Sequence, residues 1–222
     1  MSGFYSSTVG KKFWVSLTGL FLIVFLAVHL TANLMLIFDD TGELFNRVVH
    51  FMGTNIIIRI MEPILAIGFL AHIVLVTILT LRNQTTRSQN YKIQKLGHAS
   101  SWASRNMYIL GLIILFFLVI HIINYWYKFK FGDLPTVTYG NETMENAYNL
   151  VSGLFSIWWY DVLYIVAFIG LAYHISHGFW SAFQSIGWSS DTMRKILTAI
   201  AYLYAIIIGI GFTIIPVYFL LK

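Results

Sequence analysis

The sequence predicts an all-α integral membrane protein: a bundle of five transmembrane helices that occupies residues 1–222 as a single domain. Three observations lead there. Of 222 residues, 58% are hydrophobic and 10% charged, with a mean hydropathy of +0.75; an ordinary soluble domain carries about 25% charged residues. Five apolar stretches, near 13–38, 56–81, 104–127, 159–186 and 195–221, each reach the ~20 residues that cross a bilayer core. Four of the five hold a histidine well inside the apolar run, where an ionisable ring is costly and usually functional.

The elements follow in order. Lys11 and Lys12 precede the first stretch and imitate the start of a signal peptide. The apolar run from Phe13 to Phe38 is too long for a signal core of roughly 7–15 residues, and no small-residue cleavage site follows it, so it reads as the first spanning helix. Pro63 lies near the start of the second helix, where a missing N–H costs little. Pro216 lies near the end of the fifth and is expected to bend it. The segments Asp39–Asn55, Arg82–Ala103, Lys128–Trp158 and Gly187–Arg194 are polar and are expected to be water-exposed loops. With the N-terminus in the cytoplasm, nine Lys and Arg fall inside and five outside, the bias that the positive-inside rule requires. Five spans then leave the C-terminus outside. Trp126, Trp158, Trp159 and Trp188 fit interfacial belts.

Composition excludes several chemistries. Cysteine is absent, which removes disulfides, iron–sulfur ligation, thiolate zinc sites and covalent haem attachment. The net charge of +5 is not a nucleic-acid signal, because the basic residues sit between apolar spans.

The intramembrane histidines form two matched sets. His29 and His121 each lie ten residues after a glycine, Gly19 and Gly111. His72 and His174 each lie four after a glycine, in Ile67-Gly68-x-x-x-His72 and Ile169-Gly170-x-x-x-His174. The unit is therefore a helical hairpin used twice, followed by a helix without histidine. At a rise of 1.5 Å per residue, His29 and His121 lie about 24–25 Å from the cytoplasmic edge, and His72 and His174 about 23 Å from the outer edge. Depth thus pairs His29 with His121 near the outer face and His72 with His174 near the inner face. Gly19 and Gly111 fall about 15 Å inward of their histidines, at the level of the other pair. Glycine lets a flat macrocycle approach the backbone.

Two bis-histidine haems satisfy this pattern, with His29 and His121 on an outer haem and His72 and His174 on an inner one. A single zinc ion does not, because ligands at two depths cannot converge. A proton relay would mix carboxylates with histidine, and no Asp or Glu lies in the middle of a span. His177, one turn from His174, competes with it as a ligand; the Gly-x3-His repeat favours His174. His50 and His98 fall in loop positions. Candidate propionate partners of the inner haem are Ser16 and Arg105, with Lys12, Trp102 and Lys195 nearby. Arg59 and Glu62, one turn apart at the outer start of the second helix, read either as an i, i+3 ion pair or as a quinone-headgroup site.

With these residues placed, the chain resembles the cytochrome b membrane subunit of succinate dehydrogenase and fumarate reductase, in its single-chain, five-helix, two-haem form. The resemblance covers essentially the whole chain. It is carried by Val28-His29-Leu30, Gly68-x-x-x-His72, Ser104-Arg105 leading to Gly111 and His121, and Tyr173-His174-x-x-x-Gly178-Phe179-Trp180-Ser181. It implies non-covalent b-type haems on the four histidines and a bacterial inner membrane. It also implies flavoprotein and iron–sulfur partner subunits, and menaquinone or another quinone as electron acceptor near the outer face. The family's fumarate-reducing members include some with a glutamate two residues before the helix-four histidine; here that position is Ala172. This departure tilts the expected direction toward succinate oxidation. The basic loop 82–105 is the expected docking surface for the iron–sulfur subunit. The reading from a different class is a cofactor-free helical membrane protein, such as a transporter or assembly factor. A transmembrane ferric or ascorbate-type reductase with two haems is a third.

Overall fold

A computed structural model describes residues 7–85 and 102–222. Helix α1 spans Thr8–Phe38, opened by Ser7, whose hydroxyl accepts the Gly10 N–H at 3.0 Å. The chain turns at Asp39, whose carboxylate accepts the N–H groups of Thr41 and Leu44. Gly42 then takes a φ of +75° and α2 runs from Glu43 to Thr54. Helix α3 spans Ile56–Thr85. A short α4, Trp102–Arg105, breaks at Asn106 and leads into α5, Met107–His121. A π-helical turn, Ile122–Trp126, carries α5 without interruption into α6, Tyr127–Phe131. Strands β1 (Thr136–Tyr139) and β2 (Glu142–Glu145) form an antiparallel hairpin with Thr136 opposite Glu145. Helix α7 spans Ala147–Phe155, α8 Trp158–Ser185 and α9 Asp191–Leu221.

Five of these helical runs are long and apolar enough to cross a membrane: α1, α3, α5 through α6, α8 and α9. The first, second and fifth contain their predicted spans; the third starts at Met107 rather than 104, because the chain breaks at Asn106, and the fourth stops at Ser185 rather than 186. Capping explains the longer starts. Ser190 accepts the Met193 N–H and opens α9 four residues early. Pro216 lies within α9, buried, and the helix continues past it to Leu221.

Two of the expected loops are structured. Asp39–Asn55 forms α2, so His50 lies exposed on a helix rather than in a loop. Lys128–Trp158 holds α6, the hairpin and α7, so the fold is mostly but not wholly α. The cause is an amphipathic pattern that polarity alone hides: α2 buries Phe45 and Asn46 and exposes Arg47 and His50. Asn46 ties the pieces together. Its Nδ2 donates to the Tyr139 hydroxyl (3.0 Å) and to Asn146 Oδ1 (3.3 Å), and its Oδ1 accepts the Tyr148 N–H (2.8 Å). An unsatisfied amide there would cost about 1–3 kcal/mol. Together α2, the hairpin and α7 form a cap over one end of the bundle.

Inside a bilayer, helices associate through close packing rather than water exclusion. Helices α8 and α9 share the longest interface, and α9 offers it Ala201, Ala205 and Gly209 at four-residue spacing. A Cβ on Gly209 would lie 3.0 Å from the Ala172 Cβ, and one on Gly211 would lie 2.7 Å from Leu30 of α1. The Tyr204 hydroxyl donates to the Ile23 carbonyl at 2.5 Å, pinning α9 to α1. Helix α3 sits at the opposite extreme. Its one fully buried residue is Gly68, and it exposes Ile57, Ile60, Ile64, Ile67, Leu70 and Val74, as a lipid-facing helix does.

Candidate functional site: two histidine levels

The structure brings His29 and His121 together. Their rings lie 5.7 Å apart, centroid to centroid, and nearly perpendicular at 84°. Two imidazoles bonded to one metal at about 2 Å each would stand roughly 6 Å apart. His29 stacks on Phe25, and His121 packs on Phe117. This is the capped level, the one nearer α2 and α7.

His72 and His174 form the far level, facing glycines of α1 and α5. A Cβ on Gly19 would lie 3.2 Å from the His72 ring, and one on Gly111 would lie 3.7 Å from the His174 ring. Each glycine of α1 and α5 therefore faces the histidine of the other level, as the rise per residue predicts. Gly68 faces Phe21 at 3.0 Å and Gly170 faces Ile113 at 3.7 Å. The backbone of Val15 meets His72, and that of Met107 meets His174.

These contacts repeat at one constant offset in the chain for α1 and α5, and at another for α3 and α8. Val15, Gly19, Phe21, Phe25 and His29 correspond to Met107, Gly111, Ile113, Phe117 and His121; Gly68 and His72 correspond to Gly170 and His174. The duplicated hairpin is thus a duplicated set of contacts, not only of spacings.

The polar surroundings are not duplicated. At the capped level the Tyr164 hydroxyl lies 3.3 Å from His121 Nδ1, Tyr160 donates to Tyr164 at 2.8 Å, and Asn124 donates to Tyr160 at 3.4 Å. Asn33 Nδ2 lies 3.4 Å from the His29 ring nitrogens and donates to the His29 carbonyl at 2.8 Å. Tyr125 stacks obliquely on His121, its hydroxyl buried without a hydrogen bond among the described residues. At the far level Thr18 Oγ1 lies 3.2 Å from His72 Nδ1, while the buried Nδ1 of His174 makes no hydrogen bond among the described residues. His177 lies half-buried one turn away and interacts with the His174 charge.

The donor set fits planar bis-imidazole ligation. The capped pair already has the separation, the far pair keeps a buried ring nitrogen without a partner among the described residues, and Gly19 and Gly111 hold side chains away from the far rings. Among the described residues no three His, Asp or Glu side chains converge on a point that could hold a bare ion.

The remaining predicted residues are dispersed. Ser16 is buried in α1, its hydroxyl donating to the Lys12 carbonyl at 2.9 Å. Arg105 lies exposed at the end of α4, and Trp102 packs edge-on against Tyr173. Lys195 lines a shallow groove on α9 with Asp191 and Arg194. Glu62 does not form the i, i+3 pair with Arg59. It accepts instead from Lys130 Nζ (2.7 Å) and Trp126 Nε1 (2.5 Å), which follow His121 across the π turn. Arg59 contributes only through its charge. His98 and the basic positions Arg87 and Lys92 of the expected docking loop lie outside the described residues.

Sequence reading missed Thr18, Phe25, Phe117, Tyr160 and Tyr164. The signal for two of them is present: Phe25-Leu26-x-x-His29 and Phe117-Leu118-x-x-His121 repeat as words. It also passed over Asp161, a fully buried carboxylate with no hydrogen bond among the described residues, in the first turn of α8, where the helix dipole favours an anion.

No family model, no curated protein and no solved structure matches the chain.

Proposed function

We propose that this chain is the dihaem cytochrome b membrane-anchor subunit of a succinate:quinone oxidoreductase, held in a bacterial inner membrane with its N-terminus cytoplasmic. One observation carries the reading: a single set of glycine, phenylalanine and histidine contacts is built twice, placing paired imidazoles at two depths of a spanning bundle. The capped level is then the outer one and the far level the inner one. Bound haem would supply a reversible one-electron iron couple at each depth. His29 and His121 hold the outer group, and His72 and His174 the inner one. Gly19 and Gly111 leave room for the inner plane. Phe25 and Phe117 wall the outer plane from lipid and water.

The partners of this reading are an iron–sulfur subunit on the cytoplasmic side, a flavoprotein that oxidises succinate, and a quinone, most simply menaquinone. Arg59 and Glu62, at the capped end of α3, are the candidates for meeting the quinone headgroup. Ser16 and Arg105 are the candidates for the inner propionates. The same subunit in a quinol:fumarate reductase is the second reading. Against it, the position that carries a glutamate in some fumarate-reducing relatives is Ala172, which faces Gly209 of α9.

The test is a pyridine-haemochrome assay on the protein purified with its copurifying subunits. Two b haems per chain together with a flavoprotein are expected. A colourless protein overturns the reading in favour of a cofactor-free membrane protein. Two haems without a flavoprotein point instead to a transmembrane ferric or ascorbate-type reductase.

A further inference from the structure

We propose that Tyr164 is a positioning residue for the outer ligand His121, and that Tyr160 and Asn124 hold Tyr164 in place. This rests on the dihaem reading and goes beyond it, because the ligand positions do not require it. A histidine that gives Nε2 to a metal carries its proton on Nδ1, and that proton needs an acceptor; such partners fix ring orientation and raise ligand basicity. The Tyr164 oxygen is the atom facing His121 Nδ1, at 3.3 Å.

The hydroxyl is held from behind. Tyr160 donates to it at 2.8 Å, which polarises the Tyr164 oxygen as an acceptor, and Asn124, three residues after His121, donates to Tyr160 at 3.4 Å. The chain of contacts therefore starts and ends on one helix and passes through α8 between. Tyr164 is 2% exposed, walled by Phe117, Phe155 and Phe168. A hydroxyl so enclosed has little freedom to turn elsewhere. The His121 contact is long beside a typical N–H···O bond, so the effect is on ring orientation and a moderate part of the basicity.

The duplication sharpens the point. The position in α3 that corresponds to Tyr164 is Glu62, and it turns to Lys130 and Trp126 instead of a histidine. Among the described residues His174 Nδ1 has no hydrogen bond. The tyrosine relay belongs to one ligand of the four, so one haem level is tuned by it and the other is not.

The experiment uses the intact complex carrying Tyr164→Phe, which keeps the ring and removes the hydroxyl. Both haems should remain by pyridine haemochrome. The outer component's midpoint potential should rise, because a less basic imidazole stabilises ferric iron less, and its low-spin EPR g-values should move. The inner component should keep both. Tyr160→Phe should move the outer component the same way by less, and it carries the test if Tyr164→Phe fails to assemble. Two retained haems with an unmoved outer potential and EPR signal in the variant that assembles overturn the positioning role alone. A wild-type complex without haem overturns the proposed function, and this role with it.

Discussion

The two histidine levels share a scaffold and differ in everything around it. At the capped level the rings are enclosed by Phe25, Phe117, Tyr125 and Tyr164, and hydrogen-bonding side chains lie on both histidines. At the far level glycines face the rings, one histidine meets Thr18, and the other has a bare Nδ1. Ligand position is therefore a property of the repeated hairpin, while ligand environment is a property of each copy. For paired redox centres that separation is useful. Under the proposed function, iron spacing would be fixed by backbone, and each potential would be adjusted by neighbours that the other centre does not feel.

The most damaging test of this comparison removes ligands. His72→Ala and His174→Ala should each abolish one and the same spectral component, and His29→Ala and His121→Ala the other. If His29→Ala and His72→Ala removed the same band, the two levels would not exist as described.

Next in size are the glycines. Gly19→Ala places a methyl 3.2 Å from His72, tighter than ordinary contact, whereas Gly111→Ala places one 3.7 Å from His174. The first should shift or deplete the far component in reduced-minus-oxidised spectra, and the second should leave it intact. Equal effects would mean that the far level is symmetric after all.

The cap gives a smaller effect. Gly42→Ala forces an alanine into a left-handed conformation, about 1–2 kcal/mol of strain, and drives its Cβ to 2.3 Å from the Tyr148 ring. A lowered thermal midpoint is expected, with the capped haem lost before the far one. Simultaneous loss would show that the cap protects neither level preferentially.

Acid gives the smallest. The backbone N–H of Leu44, with Thr41, holds Asp39 below the usual carboxylate range; the Tyr218 hydroxyl and then Lys222 do so for Asp40. Both are depressed, so their contribution is present above the unfolded value of about 3.9 and is lost as pH falls through the lowered folded values. Hydrogen exchange should quicken in α2 below about pH 4, while α8 stays protected.

The five spans and the four histidines were legible because apolar run length and helical rise are local quantities. Gly19 could be placed beside His72 from its number alone. The cap was not legible: Asn46 finds its partners about a hundred residues away, at Tyr139, Asn146 and Tyr148. The ion-pair reading of Arg59 and Glu62 sees only neighbours on one helix, while Lys130 reaches Glu62 from another. Tyr164 looked like one more aromatic in an aromatic-rich chain until the His121 contact was visible.

The π turn at Ile122–Trp126 has its own consequence. Such a turn is an α-helix carrying one additional residue, and α1 has no equivalent after His29. The same residues wound as an ordinary α-helix would turn everything downstream by about 100°. His121 would keep its aim while Trp126 and Lys130 lost Glu62. One inserted residue thus acts as a phase shifter, decoupling where the helix points His121 from where it anchors its rim.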